Sequence, residues 1–187
     1  MPRAGLTADR VTEEAAALVD EQGIDALTLA TLAARLDVRA PSLYKHVASL
    51  EALRQSVAVR AKTEFGHTLE AAAGELVGDA AVHAIAHGYR EWARRHPGRY
   101  SLTLRAAYPN DPDDVSASSH AVRVMLRAVE PWQLTETDGI DFVRGLRALL
   151  HGFVTLEEAG AFALPISLDG SFERAVDRLI GAYTPVV

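Results

Sequence analysis

The chain has 187 residues, a formal net charge of −6, 49% hydrophobic residues and no cysteine. That length holds one sizeable core, or a small module joined to a larger body, and the missing thiols exclude disulfides, thiolate zinc sites and cysteine nucleophiles. No apolar run of about 18 residues is free of charges and the opening MPRAGLTADR has no signal-like apolar segment, so a cytoplasmic protein without membrane contact is expected.

The first predicted element is a helix over residues 7–22, capped by Thr7, with Val11, Ala15, Leu18 and Val19 facing inward and Gly23 as its left-handed stop. Arg10, near its start, is placed for a backbone phosphate. Residues 27–47, LTLATLAARLDVRAPSLYKHV, then read as two short helices joined by a tight turn. Thr28 suits an N-cap, and Leu29, Leu32, Ala33 and Leu36 recur at the spacing of one buried helix face. Asp37 stands where left-handed geometry is wanted and Val38 returns the chain to the core. Pro41 opens the second helix, where its missing N–H costs nothing. Ser42, Tyr44, Lys45 and His46 make that helix too polar to bury, while Leu43 and Val47 anchor it from behind. Such a helix is built to be presented, and DNA is the first candidate partner.

Ser49 is positioned to cap a fourth helix that begins near Leu50 and continues past Phe65 into the alanine-rich residues 69–73. Gly74 and Gly78 loosen the chain before a helix carrying Val82, Ile85, Ala86, Tyr89, Trp92 and Ala93, which HPGRY stops at Pro97 and Gly98. A further helix is expected over residues 100–108, and PNDPDD (residues 109–114) reads as a turn and an exposed acidic loop. Helices over residues 115–129 and 135–161, the loop LPISLD and a last helix over residues 170–183 complete an all-α chain without repeats.

Charge is unevenly spread. Residues 35–60 hold five basic side chains (Arg35, Arg39, Lys45, Arg54, Arg60) against two acidic ones (Asp37, Glu51), whereas residues 61–187 hold twelve basic and seventeen acidic. The field around the presented helix is therefore expected to be positive, and its DNA binding to weaken with salt. Of the only two lysines, Lys45 and Lys62, the first is well placed for a phosphate or a guanine edge.

No glycine-rich phosphate loop, Gly-x-Ser-x-Gly elbow or His-Glu-x-x-His helix occurs, and the adjacent pairs Glu157–Glu158 and Asp113–Asp114 cannot converge on one bond. No catalytic residue and no cofactor are expected. His83, His87 and Glu91 have metal-compatible helical spacing, but such a trio is more often solvated or packed, and no metal is assigned. His96, before Pro-Gly at a helix end, suits the helix dipole.

The Leu-Tyr-x-His-Val pattern after a Pro, about ten residues past a Leu-Ala-x-x-Leu helix, resembles the TetR (tetracycline-repressor-like) family of transcriptional regulators, over residues 6–58. The resemblance implies a helix-turn-helix module over residues 1–60 and a helical ligand-binding and dimerisation body over residues 61–187. It places Arg10, Thr28, Arg39, Ala40, Pro41, Ser42, Tyr44, Lys45, His46, Ser49 and Arg54 at double-stranded operator DNA. Tyr44 and His46 then belong mainly to phosphates, and Ala40, Ser42 and Lys45 lie nearest base edges. The family often carries a lysine where this chain has Leu50, with Glu51 beside it; Arg54, one turn on, is the candidate substitute.

Tyr89–Trp92 with HPGRY, and LRALLHGFVTLEEAGAF before a Ser-Phe-Glu helix, resemble the body of one TetR subfamily. That implies a homodimer face on residues 146–161 and 171–183, with Leu149, Gly152, Phe153, Leu156, Phe172 and Leu179 as its candidates. A helix buried within one subunit carries the same pattern. Tyr89, Trp92, Leu104, Tyr108, Met125, Phe142, Leu146 and His151 are candidates for a pocket taking a small apolar or amphipathic ligand, though the same residues also read as ordinary core. The expected function is a repressor released from its operator by that ligand. The alternative is a helical ligand-sequestering protein without DNA activity.

Overall fold

A computed structural model describes residues 6–184, and across them the chain is helical, with no strand. Its helices are α1 (Ala8–Gln22), α2 (Leu29–Arg35), α3 (Ala40–Leu43), α4 (Leu50–Ala73), α5 (Gly78–Arg95), α6 (Pro97–Thr103), α7 (Pro112–Ala128), α8 (Glu136–Glu158) and α9 (Leu168–Tyr183), with single 3₁₀ turns at Ile24–Ala26 and Glu130–Trp132. The chain forms two compact units: one runs to Glu64 and includes His96–Ser118, the other comprises Phe65–Arg95 and the chain from Ser119 onward.

In the first unit, Val11, Ala15, Leu18, Val19, Leu27, Leu32, Leu43, Leu53 and Val57 make one apolar core, drawn from α1 to α4. Residues 96–118 belong here although they lie within the span expected for the body. Two local features explain why. A Cβ on Gly98 would sit 2.0 Å from the Val19 carbonyl oxygen, so only glycine lets α6 lie on the end of α1. The Asp20 carboxylate then accepts from the Arg99 amide at 2.8 Å and from Arg99 Nε at 2.6 Å. Pro97 therefore opens α6 at its first turn instead of only closing α5, and α6 ends at Thr103, short of the expected residue 108.

The segment expected as an exposed acidic loop is partly the start of α7. The Asp111 carboxylate accepts from the amides of Asp113 and Asp114 at 3.1 Å each, which caps the helix three residues earlier than expected. Asp114 is fully buried and meets Lys62 Nζ at 2.5 Å. His96, expected only to suit a helix dipole, is the residue before α6, with Nδ1 3.0 Å from Asp20 Oδ2.

The second unit packs Leu69, Ile85, Tyr89, Phe142, Leu146, Leu150, Phe172 and Val176 into its core. A Cβ on Gly88 would stand 2.8 Å from that of Ala72, so this glycine sets the close approach of α4 and α5. Arg90 is buried among α5, α8 and α9, making two hydrogen bonds of 2.8 Å to Glu157 and one of 2.8 Å to Asp169. No helix among the described residues is long and apolar enough to cross a membrane.

Candidate nucleic-acid interface

Local chemistry fixes the α2–turn–α3 geometry. Thr28 and Thr31 cap α2 reciprocally: the Thr31 amide donates to Thr28 Oγ1 at 3.1 Å, and the Thr28 amide to Thr31 Oγ1 at 3.0 Å. Asp37 takes the left-handed conformation, with φ 53°, at the turn. Its amide donates to the Ala34 carbonyl at 3.2 Å and that of Val38 to Ala33 at 3.0 Å, closing α2.

The presented helix is shorter than the sequence pattern suggests. Regular α-helix ends at Leu43, and Tyr44, Lys45 and His46 continue as tighter turns, with His46 N donating to Leu43 O at 2.8 Å. The inward anchors and two of the four expected outward side chains take their places. Leu43 is completely buried, Val47 packs partly on the core, and Tyr44 is 60% exposed beside exposed Pro41 and Lys45. Ala40, Ser42 and His46 are half-buried.

The cations around this face are not equal. Arg35 is held by Glu21, through hydrogen bonds of 2.6 and 2.7 Å, and by Glu14 at 3.0 Å. The Arg35 guanidinium in turn holds the Glu21 carboxyl below its usual range. Arg60 pairs with Asp9 and Glu64, each at 2.8 Å. Among the described residues, no carboxylate pairs with Arg39 or Lys45, both exposed. The positive field counted from sequence therefore narrows to these two side chains and Arg54. Arg54 is half-buried, with one terminal nitrogen 3.4 Å from the Leu27 carbonyl and its Nε buried without a hydrogen-bond partner. It is not simply a free surface replacement for a lysine at position 50.

Ser49 caps α4, accepting from the Ala52 amide at 3.0 Å. Leu50 is half-buried against the first unit's core, so its aliphatic side chain has a packing role at the start of α4. Thr28 is half-buried, with its hydroxyl committed to the cap, and Arg10 is exposed on α1.

The other candidates divide between the units. Leu104 and Tyr108 lie in the first, both exposed, and Arg105 stacks over Tyr108 at 4.0 Å from the ring centre. In the second, Tyr89, Trp92, Met125, Phe142 and Leu146 are buried, and His151 is half-buried with Nδ1 3.4 Å from the Thr155 hydroxyl. The aromatics pack ring on ring: Phe65 meets Tyr89 at 4.9 Å and Trp92 at 5.1 Å, while Phe142 meets Trp132 at 5.1 Å. A cavity of about 300 Å³ opens elsewhere in this unit, lined among others by Leu126, Val129, Leu134, Gly139 and Ile140, with Gln133, Thr135 and the carboxylates of Glu130 and Glu136 as its polar groups. None of the eight candidates lines it, and no periodicity in the sequence marks it.

Of the dimer candidates, Leu156 is exposed, and Leu149, Gly152, Phe153 and Leu179 are half-buried. Phe172 is fully buried in its own unit, 5.1 Å from the Phe153 ring and 5.6 Å from that of His87. The connection between α8 and α9 carries exposed Phe162, Leu164 and Ile166. His83 and His87 turn toward α9: His83 reaches Glu173 at 3.2 Å and Asp177 at 2.9 Å, and His87 reaches Glu173 at 2.7 Å. Glu91 pairs with Arg95.

Residues 11–57 match the family of bacterial regulatory proteins described as tetR, and residues 82–179 match the tetracyclin repressor-like C-terminal domain. The chain is 35% identical over 161 residues to the HTH-type transcriptional regulator YobS of Bacillus subtilis, covering 86% of this chain and 84% of that one. Its fold is similar to a protein of unknown function from Rhodococcus sp. RHA1, with a TM-score of 0.84 at 22% identity, covering 99% of this chain and all of the other. It is also similar to ActR of Streptomyces coelicolor in complex with (S)-DNPA, with a TM-score of 0.65 at 17% identity, covering 96% and 98% of the two chains. At those identities the two structures speak for the fold alone.

Proposed function

The chain belongs to the tetR family of bacterial regulatory proteins, a family of DNA-binding transcriptional regulators and not of enzymes, and on that footing we propose that it is a cytoplasmic homodimeric repressor whose hold on a double-stranded operator is released by a small apolar or amphipathic ligand. The observation that carries the reading is the presentation of Tyr44 and Lys45 by α3 and its following turn, with Leu43 fully buried behind them.

In this reading Tyr44 and His46 contact phosphates and set the register. Ala40, Ser42 and Lys45 lie nearest base edges, with Arg39 and Pro41 beside them. The capped start of α4 presents backbone N–H groups to a further phosphate, with Ser49 as cap. Arg10, Thr28 and Arg54 flank this face. A two-fold dimer repeats it at half-site spacing. The dimer face takes Leu149, Gly152, Phe153, Leu156 and Leu179, with Phe172 supporting them from within. Exposed Phe162, Leu164 and Ile166 support an apolar contact there.

The cavity of about 300 Å³ between α7 and α8 is at the small end of ligand pockets and is the best-supported ligand site. Tyr89, Trp92, Met125, Phe142 and Leu146 belong to the buried core of the same unit, and His151 is half-buried on α8. That the similarly folded ActR is in complex with (S)-DNPA is in keeping with a ligand-responsive body. A ligand favouring the conformation with low operator affinity weakens DNA binding by the same coupling factor that DNA weakens ligand binding.

The test is binding of the full chain to its own upstream intergenic DNA, titrated across salt, beside Tyr44→Ala. Selective, salt-sensitive binding by the wild type and at least a tenfold loss in Tyr44→Ala, with unchanged helicity, support the assignment. Equal affinity in the variant places the DNA face elsewhere. Failure to select any sequence from a random DNA pool leaves the ligand-sequestering alternative in its place.

A further inference from the structure

We propose that His67, Glu70 and His120 form a binding site for one divalent transition cation of the zinc type. His67 and Glu70 are three residues apart on α4 and so share one face. His120 comes from α7, and both segments belong to the second unit. One ligand atom from each of the three side chains lies within 4.8 Å of the other two. His120 Nε2 is 3.3 Å from Glu70 Oε2, and the two imidazoles meet edge to face at 5.1 Å between centres.

The backbone permits this convergence at one place. A Cβ on residue 66 would stand 3.2 Å from the His120 ring, tighter than an ordinary contact, and Gly66 leaves that space open. His67 and Glu70 are exposed and His120 is half-buried, so an ion reaches the site from solvent and the ligands keep room to rotate. Metal–ligand bonds of about 2.0–2.2 Å require the three atoms to close by small side-chain rotations, which exposed rotamers allow.

The donor set also selects the metal. Two imidazoles and one carboxylate suit zinc, cobalt or nickel and ill suit magnesium or calcium, which take oxygen donors. Three protein ligands leave a tetrahedral ion one position for water. The ion ties α4 to α7 within the second unit, and its binding stabilises the folded chain by mass action. Sequence gives little sign of it, because His120 lies far along the chain from the α4 pair. The more conspicuous His83-x-x-x-His87 pair is committed to Glu173 and Asp177 instead.

The experiment is calorimetric titration of the full chain with zinc chloride in a non-chelating buffer at neutral pH, followed by cobalt titration read by visible absorption. We expect one ion per protomer, a thermal midpoint that rises with zinc, and cobalt bands characteristic of imidazole ligation. His120→Ala and His67→Ala, checked for unchanged helicity, should each weaken zinc at least about tenfold. Glu70→Gln should do so with both imidazoles intact, and His87→Ala should leave the affinity unchanged. No zinc binding by the wild type overturns the site. Binding that survives His120→Ala and His67→Ala but is lost in His87→Ala overturns it too, by moving the ion to the α5–α9 cluster.

Discussion

The two units are each organised around a buried ionic cluster, and the clusters have opposite polarity. In the first unit the enclosed group is an anion. Asp114 accepts from Lys62 at 2.5 Å, from Gln55 at 3.1 Å, from Arg105 at 3.2 Å and from the Tyr108 amide at 3.0 Å. In the second it is a cation: Arg90 donates to Glu157 and Asp169 and lies 4.8 Å over the Phe172 ring. The partners differ in their access to water. Lys62 is nearly as deeply buried as its carboxylate, whereas the partners of Arg90 are Glu157, whose side chain is 15% exposed, and Asp169, which is 82% exposed. Removing one member of the first cluster therefore strands a charge that cannot rehydrate, and removing Arg90 strands one that partly can.

Lys62→Met should accordingly have the larger effect on stability, about 3 kcal/mol, since breaking a buried pair leaves an uncompensated charge. Arg105 keeps the loss at the low end of that range. Arg90→Met should cost less, about 2 kcal/mol, because its burial is shared with aliphatic and aromatic contacts that Met partly retains. Urea denaturation at one protomer concentration measures both. The reverse order would mean that the guanidinium cluster is the stronger constraint and that depth of burial does not rank the two.

The second way to separate the clusters is acid. Burial alone pushes the Asp114 carboxyl up, but hydrogen bonds from Lys62, the Tyr108 amide and Gln55, with the Lys62 charge, outweigh it and hold the group at about 2, against its usual 3.8. A carboxyl whose folded value is depressed contributes stability above its unfolded value and loses it as pH falls through the folded one. Asp114 should thus contribute about 2 kcal/mol that is present above about pH 4 and lost toward pH 2. Arg90, raised above an already high value by its hydrogen bonds to Glu157 and Asp169, stays charged throughout. Glu157 is the acid-sensitive member there, held low chiefly by Arg90. Asp114→Asn should flatten the stability curve between pH 4 and pH 2 relative to the wild type. Parallel curves would assign acid sensitivity to the second unit.

These clusters also mark where sequence reasoning stops. Thr7, Gly23, Thr28, Asp37 and Ser49 were legible because a cap or a left-handed turn is settled within about three residues, and each takes the expected place. The inward faces of α1 and α2 follow from helical period in the same way. Asp114 was not legible. In PNDPDD it looks like solvent-exposed charge, and it becomes a buried acceptor only because Lys62, 52 residues earlier, meets it. Arg90 and Glu157 are 67 residues apart, so neither residue alone reads as anything but a surface charge on a helix. The same holds for the presented helix: its exposed side chains were visible in the sequence, but the pairing of Arg35 with Glu14 and Glu21, 21 and 14 residues earlier, and of Arg60 with Asp9, 51 residues earlier, was not.

The smallest expected effect probes Leu50, where local packing and DNA contact compete for one position. Leu50 rests half-buried on the first unit's core. The stem of a lysine covers much of the same surface while its ammonium reaches solvent, so Leu50→Lys should cost well under about 1 kcal/mol in stability. If the capped start of α4 stands at a phosphate, each new contact steepens the dependence of log affinity on log salt by about 0.9, and operator affinity rises a few-fold at low salt. An unchanged slope, with stability intact, would place the start of α4 away from the DNA backbone. Recognition would then rest on α3 and its following turn alone, and the exposed pair Tyr44 and Lys45 would have to carry more of the binding energy than a Tyr44→Ala loss of tenfold implies.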